Sequence, residues 1–162
     1  MTDADLVLPA SKSAAAAFDF RHPLDGSAGC RIAPMSRMAG LAQVAVNHVT
    51  VAPGEMAFPH HVHHGQEEWV FVISGEADVR LGEQTHRLVA GDFAAFPPGG
   101  PAHSVRNAGT GDLSCLMGGH AVPNEVIDFP DLEKRVVRTG AGLAQAPITA
   151  FAPFEAPAAE KT

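Results

Sequence analysis

The sequence predicts an all-β domain folded as a sandwich or barrel, and three observations carry that reading. Nine short strand-like runs follow one another between residues 41 and 140, each ended by turn residues. No long stretch of helical period lies between them. The chain also holds 16 Gly and 13 Pro, and so many turn formers within one domain favour an all-β design.

In chain order, residues 1–38 read as an N-terminal lead-in or arm. Its SAAAAF stretch is suited to a short helix that needs packing to persist. Residues 39–120 read as the barrel. Its runs are LAQVAVNHVTV, closed by Pro53-Gly54, FPHHVH, closed by Gly65, and EWVFVI, closed by Ser74-Gly75. EADVRL, THRLVA, FAAF and AHSVRN follow, closed in turn by Gly82, Gly91-Asp92, Pro97 to Gly100, and Ala108-Gly109; LSCLMG completes the set. Residues 121–140 form a closing segment that contains VVRTG. Residues 141–162 are an Ala/Pro-rich C-terminal tail, whose Phe151 and Phe154 suggest an arm that docks.

Composition narrows the partners. The 162-residue chain has a net charge of −7 and no run of Lys or Arg, so the basic face of a nucleic-acid binder is not expected. No apolar run approaches the ~20 residues that span a bilayer, and the first thirty residues lack a secretory pattern. Cys30 and Cys115 show no CxxC spacing and are expected as free, buried thiols. A soluble, cytoplasmic protein without nucleic-acid or membrane partners is the expectation.

The chemistry concentrates in FPHHVHHGQEEWVFVISG, residues 58–75. In a strand, alternate residues share a face, so His61 and His63 point one way while His60, Val62 and His64 point the other. An H-x-H pair on one face chelates a transition metal, and an added carboxylate widens the choice of ion. Glu67 or Glu68 supplies it. A hairpin turning at Ser74-Gly75 would pair Val72 with Ala77 and Val70 with Val79. That register gathers Glu68, Val70, Val72, Ala77, Val79 and Leu81 on one apolar face and leaves Glu67, Trp69, Phe71, Ile73, Asp78 and Arg80 on the other. A carboxylate buried in an apolar face needs a partner, which selects Glu68 as the ligand.

These residues resemble the two motifs of the cupin superfamily. His61-x-His63-x4-Glu68-x6-Gly75 follows the first motif, G-x5-H-x-H-x3,4-E-x6-G, although Gly54 stands one residue too far from His61. Pro98-x-Gly100-x2-His103-x3-Asn107 follows the second, G-x5-P-x-G-x2-H-x3-N, with one extra residue after Gly91. Fifteen residues separate Gly75 from Gly91, as in small bacterial members. The resemblance implies a single cupin-type β-barrel, a double-stranded β-helix or jelly roll, with short arms at both ends. It also implies His61, His63, Glu68 and His103 as ligands of one divalent transition metal ion (Mn, Fe, Ni or Zn). Three imidazoles and a carboxylate leave two positions of an octahedron open, as a catalytic metal requires. VIDFPDLEK is similar to a tail of some stand-alone cupins, in which Tyr or Phe precedes Pro-Asp.

The remaining candidates take lesser roles. His60, His64 and Glu67 are expected at the solvent-exposed rim. His22, His48 and His86 fall outside any ligand spacing and are expected at the surface or in packing, while His120 follows Gly118-Gly119 near the barrel mouth. The stripe Trp69, Phe71 and Ile73 on the outer face calls for cover by an arm or by a second copy. Cupins commonly pair through such a sheet, so a homodimer is expected. The functional expectation is a metal-dependent enzyme acting on a small keto acid, enol or sugar derivative, as a dioxygenase with Fe(II) or otherwise as an isomerase, lyase or decarboxylase. The competing class is a non-catalytic, metal-dependent binding protein. No general acid or base is identifiable, and neither Arg80 nor Arg106 is placed to hold a phosphate.

Overall fold

The computed structural model describes residues 6–152. Thirteen strands and two short helices appear among them: α1 (Ala10–Ala15), β1 (Phe18–His22), β2 (Asp25–Ala33), α2 (Met35–Met38), β3 (Val44–Val51), β4 (Val62–His63), β5 (Glu68–Ser74) and β6 (Glu76–Leu81) come first. They are followed by β7 (Gln84–Val89), β8 (Phe93–Phe96), β9 (His103–Asn107), β10 (Leu113–His120), β11 (Glu125–Phe129), β12 (Lys134–Thr139) and β13 (Gly142–Pro147). The all-β expectation holds, as a jelly roll of two facing layers.

One layer is a six-stranded sheet in the order β1-β2-β3-β10-β5-β8. The other has two parts, β13-β12-β11-β4 and β7-β6-β9, which an antiparallel bridge between His61 and His103 joins edge to edge. Val49, Val70, Val72 and Cys115 from the first layer meet Ala77, Val79 and Val105 from the second in one buried cluster. At about 25 cal/mol per Å2 of apolar area, burying each such valine side chain contributes roughly 1.5–3 kcal/mol.

The expected hairpin at Ser74-Gly75 does not form. β5 pairs with β10 and β8, whereas β6 pairs with β7 and β9, so the chain leaves one layer at Gly75 and enters the other. Gly75 makes this corner with φ = +89°, and a Cβ there would stand 2.8 Å from the carbonyl oxygen of Asp112. The assignment of faces survives the loss of the pairing. Val70, Val72, Ala77 and Val79 are all fully buried, because they face one core from opposite sheets instead of lying side by side.

Both ends of the chain join the sheets more fully than an arm would. Within 1–38, β1 and β2 extend the six-stranded layer, and α1 begins at Ala10 just ahead of SAAAAF. In the tail, β13 pairs with β12, and the Arg135 guanidinium lies 4.9 Å over the ring of Phe151. Phe154 lies outside the described residues. Cys30 and Cys115 are free and buried, and burial pushes both thiols up to about 12.

Gly75→Ala removes the left-handed freedom and drives a methyl against the Asp112 carbonyl. The expected outcome is a loss of roughly 1–3 kcal/mol in urea unfolding, with the native strand signal retained in circular dichroism.

Candidate metal centre and its cavity

Four side chains converge where the two parts of the second layer meet the first. β4 and the bridge residue before it carry His61 and His63, both buried and two apart on one face. β5 brings Glu68 from the opposite layer, and β9 brings His103 across the bridge, where His61 and His103 exchange backbone hydrogen bonds of 2.9 and 2.7 Å. The Nε2 atoms of His61, His63 and His103 stand 3.5, 3.3 and 3.3 Å from a single oxygen, Oε2 of Glu68. The donor atoms of His61, His63 and Glu68 all lie within 4.8 Å of one another. His103 reaches the same carboxylate from the other strand but falls outside that tight set.

The protonation states suit cation binding. Burial alone would raise the Glu68 carboxyl, but hydrogen bonds from His103, His61 and His63 outweigh it and hold the group well below the usual carboxylate range. Burial pushes His103 down to about 4 against the pull of Glu68, so its ring is neutral at pH 7. The ring of His103 is also stacked on Phe96, with centroids 3.8 Å apart and planes 6° from parallel. His61 Nδ1 lies 2.7 Å from the Pro59 carbonyl. A carbonyl only accepts, so Nδ1 donates to it and Nε2 is the nitrogen turned toward Glu68, the arrangement that orients metal-binding histidines.

Two further residues hold the clustered side chains and were not visible in the sequence. Gln66 donates from Nε2 to Glu68 Oε1 at 3.3 Å and accepts at its own oxygen from Arg138 at 3.2 Å. Glu125, on β11, has a fully buried side chain whose Oε1 accepts from the backbone N–H groups of His64, Gly65 and Val126 at 2.9–3.0 Å. Its other oxygen is buried without a partner and lies 3.9 Å from His63 Nδ1, which is likewise unpartnered. A lone Glu in a closing strand gives no spacing signal, and only the β11–β4 pairing places it beneath the His64-Gly65 turn.

The cluster lines a cavity of about 320 Å3, close to the lower limit for small-molecule sites. Its walls are apolar and rich in aromatics: Phe20, Phe58 and Phe129, with Ile127 and Met117. Polar groups are few, namely Asn47, Gln66, Ser104 and His22. His22 corrects the expectation of a surface or packing residue, because β1 belongs to the main sheet and carries it to the cavity.

The other candidates divide. His64 is exposed and pairs with Asp128 at 2.9 Å, and Glu67 is exposed, as expected of the rim. His60 is only 4% exposed, contrary to that expectation. It is not among the residues that line the cavity, and burial, then the charge of Arg80, lower its basicity. His120 lies outside the cavity lining and accepts the Glu67 N–H at Nδ1. Trp69 is half-buried against Phe93, while Phe71 and Ile73 remain 37% and 45% exposed. Asn107, the last residue of the second motif, donates to the Val51 and Gly111 carbonyls and accepts from Gly109, a structural clamp.

Comparison with known proteins agrees with the geometry. Residues 47–119 match the family model for the Cupin domain. That stretch holds all four of the clustered side chains and marks a cupin domain within the chain. A solved structure from Acidithiobacillus ferrooxidans, described provisionally as a sugar phosphate isomerase, superposes with a TM-score of 0.91 at 26% identity, covering 96% of this chain and 100% of that one. Among curated proteins, mannose-1-phosphate guanylyltransferase RfbM of Salmonella typhimurium is 37% identical over 68 residues, 42% of this chain. Quercetin 2,3-dioxygenase of Bacillus subtilis is 40% identical over 50 residues, 31% of this chain. The matched stretch spans only 14% of each of those two relatives.

Glu125→Ala strips three backbone donors of their acceptor next to His63. It is expected to lower unfolding free energy by about 3 kcal/mol in urea titration, with Glu125→Gln falling between it and the parent.

Proposed function

We propose that the chain is a metal-dependent cupin enzyme acting on a small oxygenated molecule, with His61, His63, Glu68 and His103 as the ligands of one divalent ion. The observation that carries this reading is the meeting of three imidazole nitrogens on one Glu68 oxygen at 3.3–3.5 Å, in the wall of a cavity. An anionic oxygen ringed by nitrogen donors suits Mn, Fe, Ni or Zn better than Ca or Mg. When bound, such an ion supplies Lewis acidity and, if iron, a centre for oxygen chemistry.

The protein's own groups have defined tasks around it. Pro59 fixes the tautomer of His61, Gln66 steadies the free oxygen of Glu68, and Phe96 fixes the plane of His103. The aromatic walls exclude water from the substrate side, which strengthens every charge interaction inside. A second reading, a binding protein without turnover, draws support from the scarcity of acid or base groups. Beyond the four ligands, His22 is the only titratable side chain among the described cavity-lining residues.

Protein purified without chelator or affinity metal is expected to hold about one equivalent of transition metal by mass spectrometry. The double variant His61→Ala/His63→Ala is expected to lose it while keeping its fold. Substoichiometric metal, unchanged in the variant, overturns the reading. Aerobic and anaerobic turnover of keto acids, enols and sugar phosphates then separates enzyme from binder.

The exposed outer-sheet residues Phe71, Ile73 and Phe93 support a homodimer formed through that face. Sedimentation equilibrium is expected to give twice the 16.9 kDa chain mass, and Phe71→Glu the monomer.

A further inference from the structure

We infer that the cavity selects an aryl-substituted 2-oxo acid or its enol over a phosphorylated sugar, with the oxygen pair at the ligand cluster and the ring held between Phe58 and Phe129. The inference rests on the metal reading for the oxygen end, and on the cavity walls alone for the ring.

The walls are an ordered aromatic path. The Phe129 ring lies 5.7 Å from that of His61 and is tilted 27° from it, so an extended flat surface begins at the cluster itself. The His22 ring adjoins Phe129, with centroids 5.2 Å apart and planes tilted by 47°. Phe58 stands edge-on to His61 at 6.5 Å and is backed by Phe20 at 5.6 Å. A planar ring between these faces gains stacking and apolar burial together. A sugar ring would surrender its hydroxyl hydration to the same walls without replacement partners.

The polar end groups point the same way. Among the described residues, none of those lining the cavity is Lys or Arg. The nearby Arg138 is engaged by Gln66 and the Val122 carbonyl, and Arg80 by Asp131 and Glu83. A phosphate dianion therefore finds no guanidinium or ammonium in the cavity and would compete with Glu68 for the ion. His22, in contrast, offers one neutral donor. The Leu24 N–H donates to its Nδ1 at 3.3 Å, so the proton of the neutral ring sits on Nε2. A hydroxyl or carbonyl at the distal edge of an aryl ring is its natural acceptor.

Isothermal titration of the metal-loaded protein with pyruvate, phenylpyruvate, 4-hydroxyphenylpyruvate and fructose 6-phosphate tests this. Phenylpyruvate is expected to bind about tenfold or more tightly than pyruvate, with fructose 6-phosphate the weakest. Phe129→Leu should erase the aryl advantage and leave pyruvate unchanged; if that variant unfolds, the less buried Phe58→Leu reads the same wall. His22→Ala should remove the gain from the 4-hydroxyl alone. The same titration on chelator-stripped protein should weaken all the acids while keeping phenylpyruvate ahead of fructose 6-phosphate. That arm reads the ring preference even if the metal content defeats the functional reading. Equal or tighter binding of fructose 6-phosphate, or no gain from the aryl ring in either form, overturns the inference.

Discussion

The site depends on two backbone hydrogen bonds exchanged between His61 and His103. They continue an antiparallel contact that begins where Met56 bridges Arg106, and they carry it from β9, which also pairs with β6, to the two-residue β4. At its end, the His61–His103 bridge fixes the separation of the side chains that the two parts of the layer bring together. Glu68 completes the arrangement from the facing sheet, so the cluster also ties the two layers together. Three imidazoles and a carboxylate in a dry interior are costly unless each charge and proton has a partner. The surrounding bonds from Pro59 and Gln66 answer part of that demand, and the unpartnered nitrogens of His63 and His103 mark where it is unanswered.

Much of this was legible in the chain because strand alternation is local. The run Glu68, Val70, Val72 and then Ala77, Val79 announces an inward face whatever the strands pair with, and all four of those apolar residues are buried. The pairing itself was not legible. A glycine after a serine reads equally as a hairpin turn or as a corner between sheets, and only the distant Asp112 carbonyl decides between them. His61 and His63 were likewise visible through their spacing and Glu68 through the apolar face it shares, whereas His103 was visible only through the resemblance to the second cupin motif.

What stayed hidden depends on residues far apart in the chain. His22 ends the alternating run Phe18-Asp19-Phe20-Arg21-His22, but nothing in that run signals that β1 lies at the end of the sheet that walls the cavity. His60 sits on the outward side of its strand, which normally means water, yet its burial follows from neighbours beyond its own strand. Glu125 carries no motif at all. Its importance comes from three amide hydrogens, two of them sixty or more positions earlier and one immediately beside it, a relation that tertiary structure creates.

The placement of β10 between β3 and β5 has a consequence for how the chain reaches its native state. β10 joins Leu113 to Val51 on one side and Cys115 to Val72 on the other, closing loops of some sixty and forty residues. Loop-closure entropy is spent before such contacts return any energy, so topologies of this kind fold on the slow side of the range for domains their size. The outer strands of a two-layer fold can be trimmed or frayed at modest cost, but this one is the keystone of the six-stranded layer. A ribosome must release it before the layer can close, and until then Val49, Val70 and Val72 lack the neighbour that shields them. The cavity is consequently a late product of folding, assembled only when the middle of its own wall arrives.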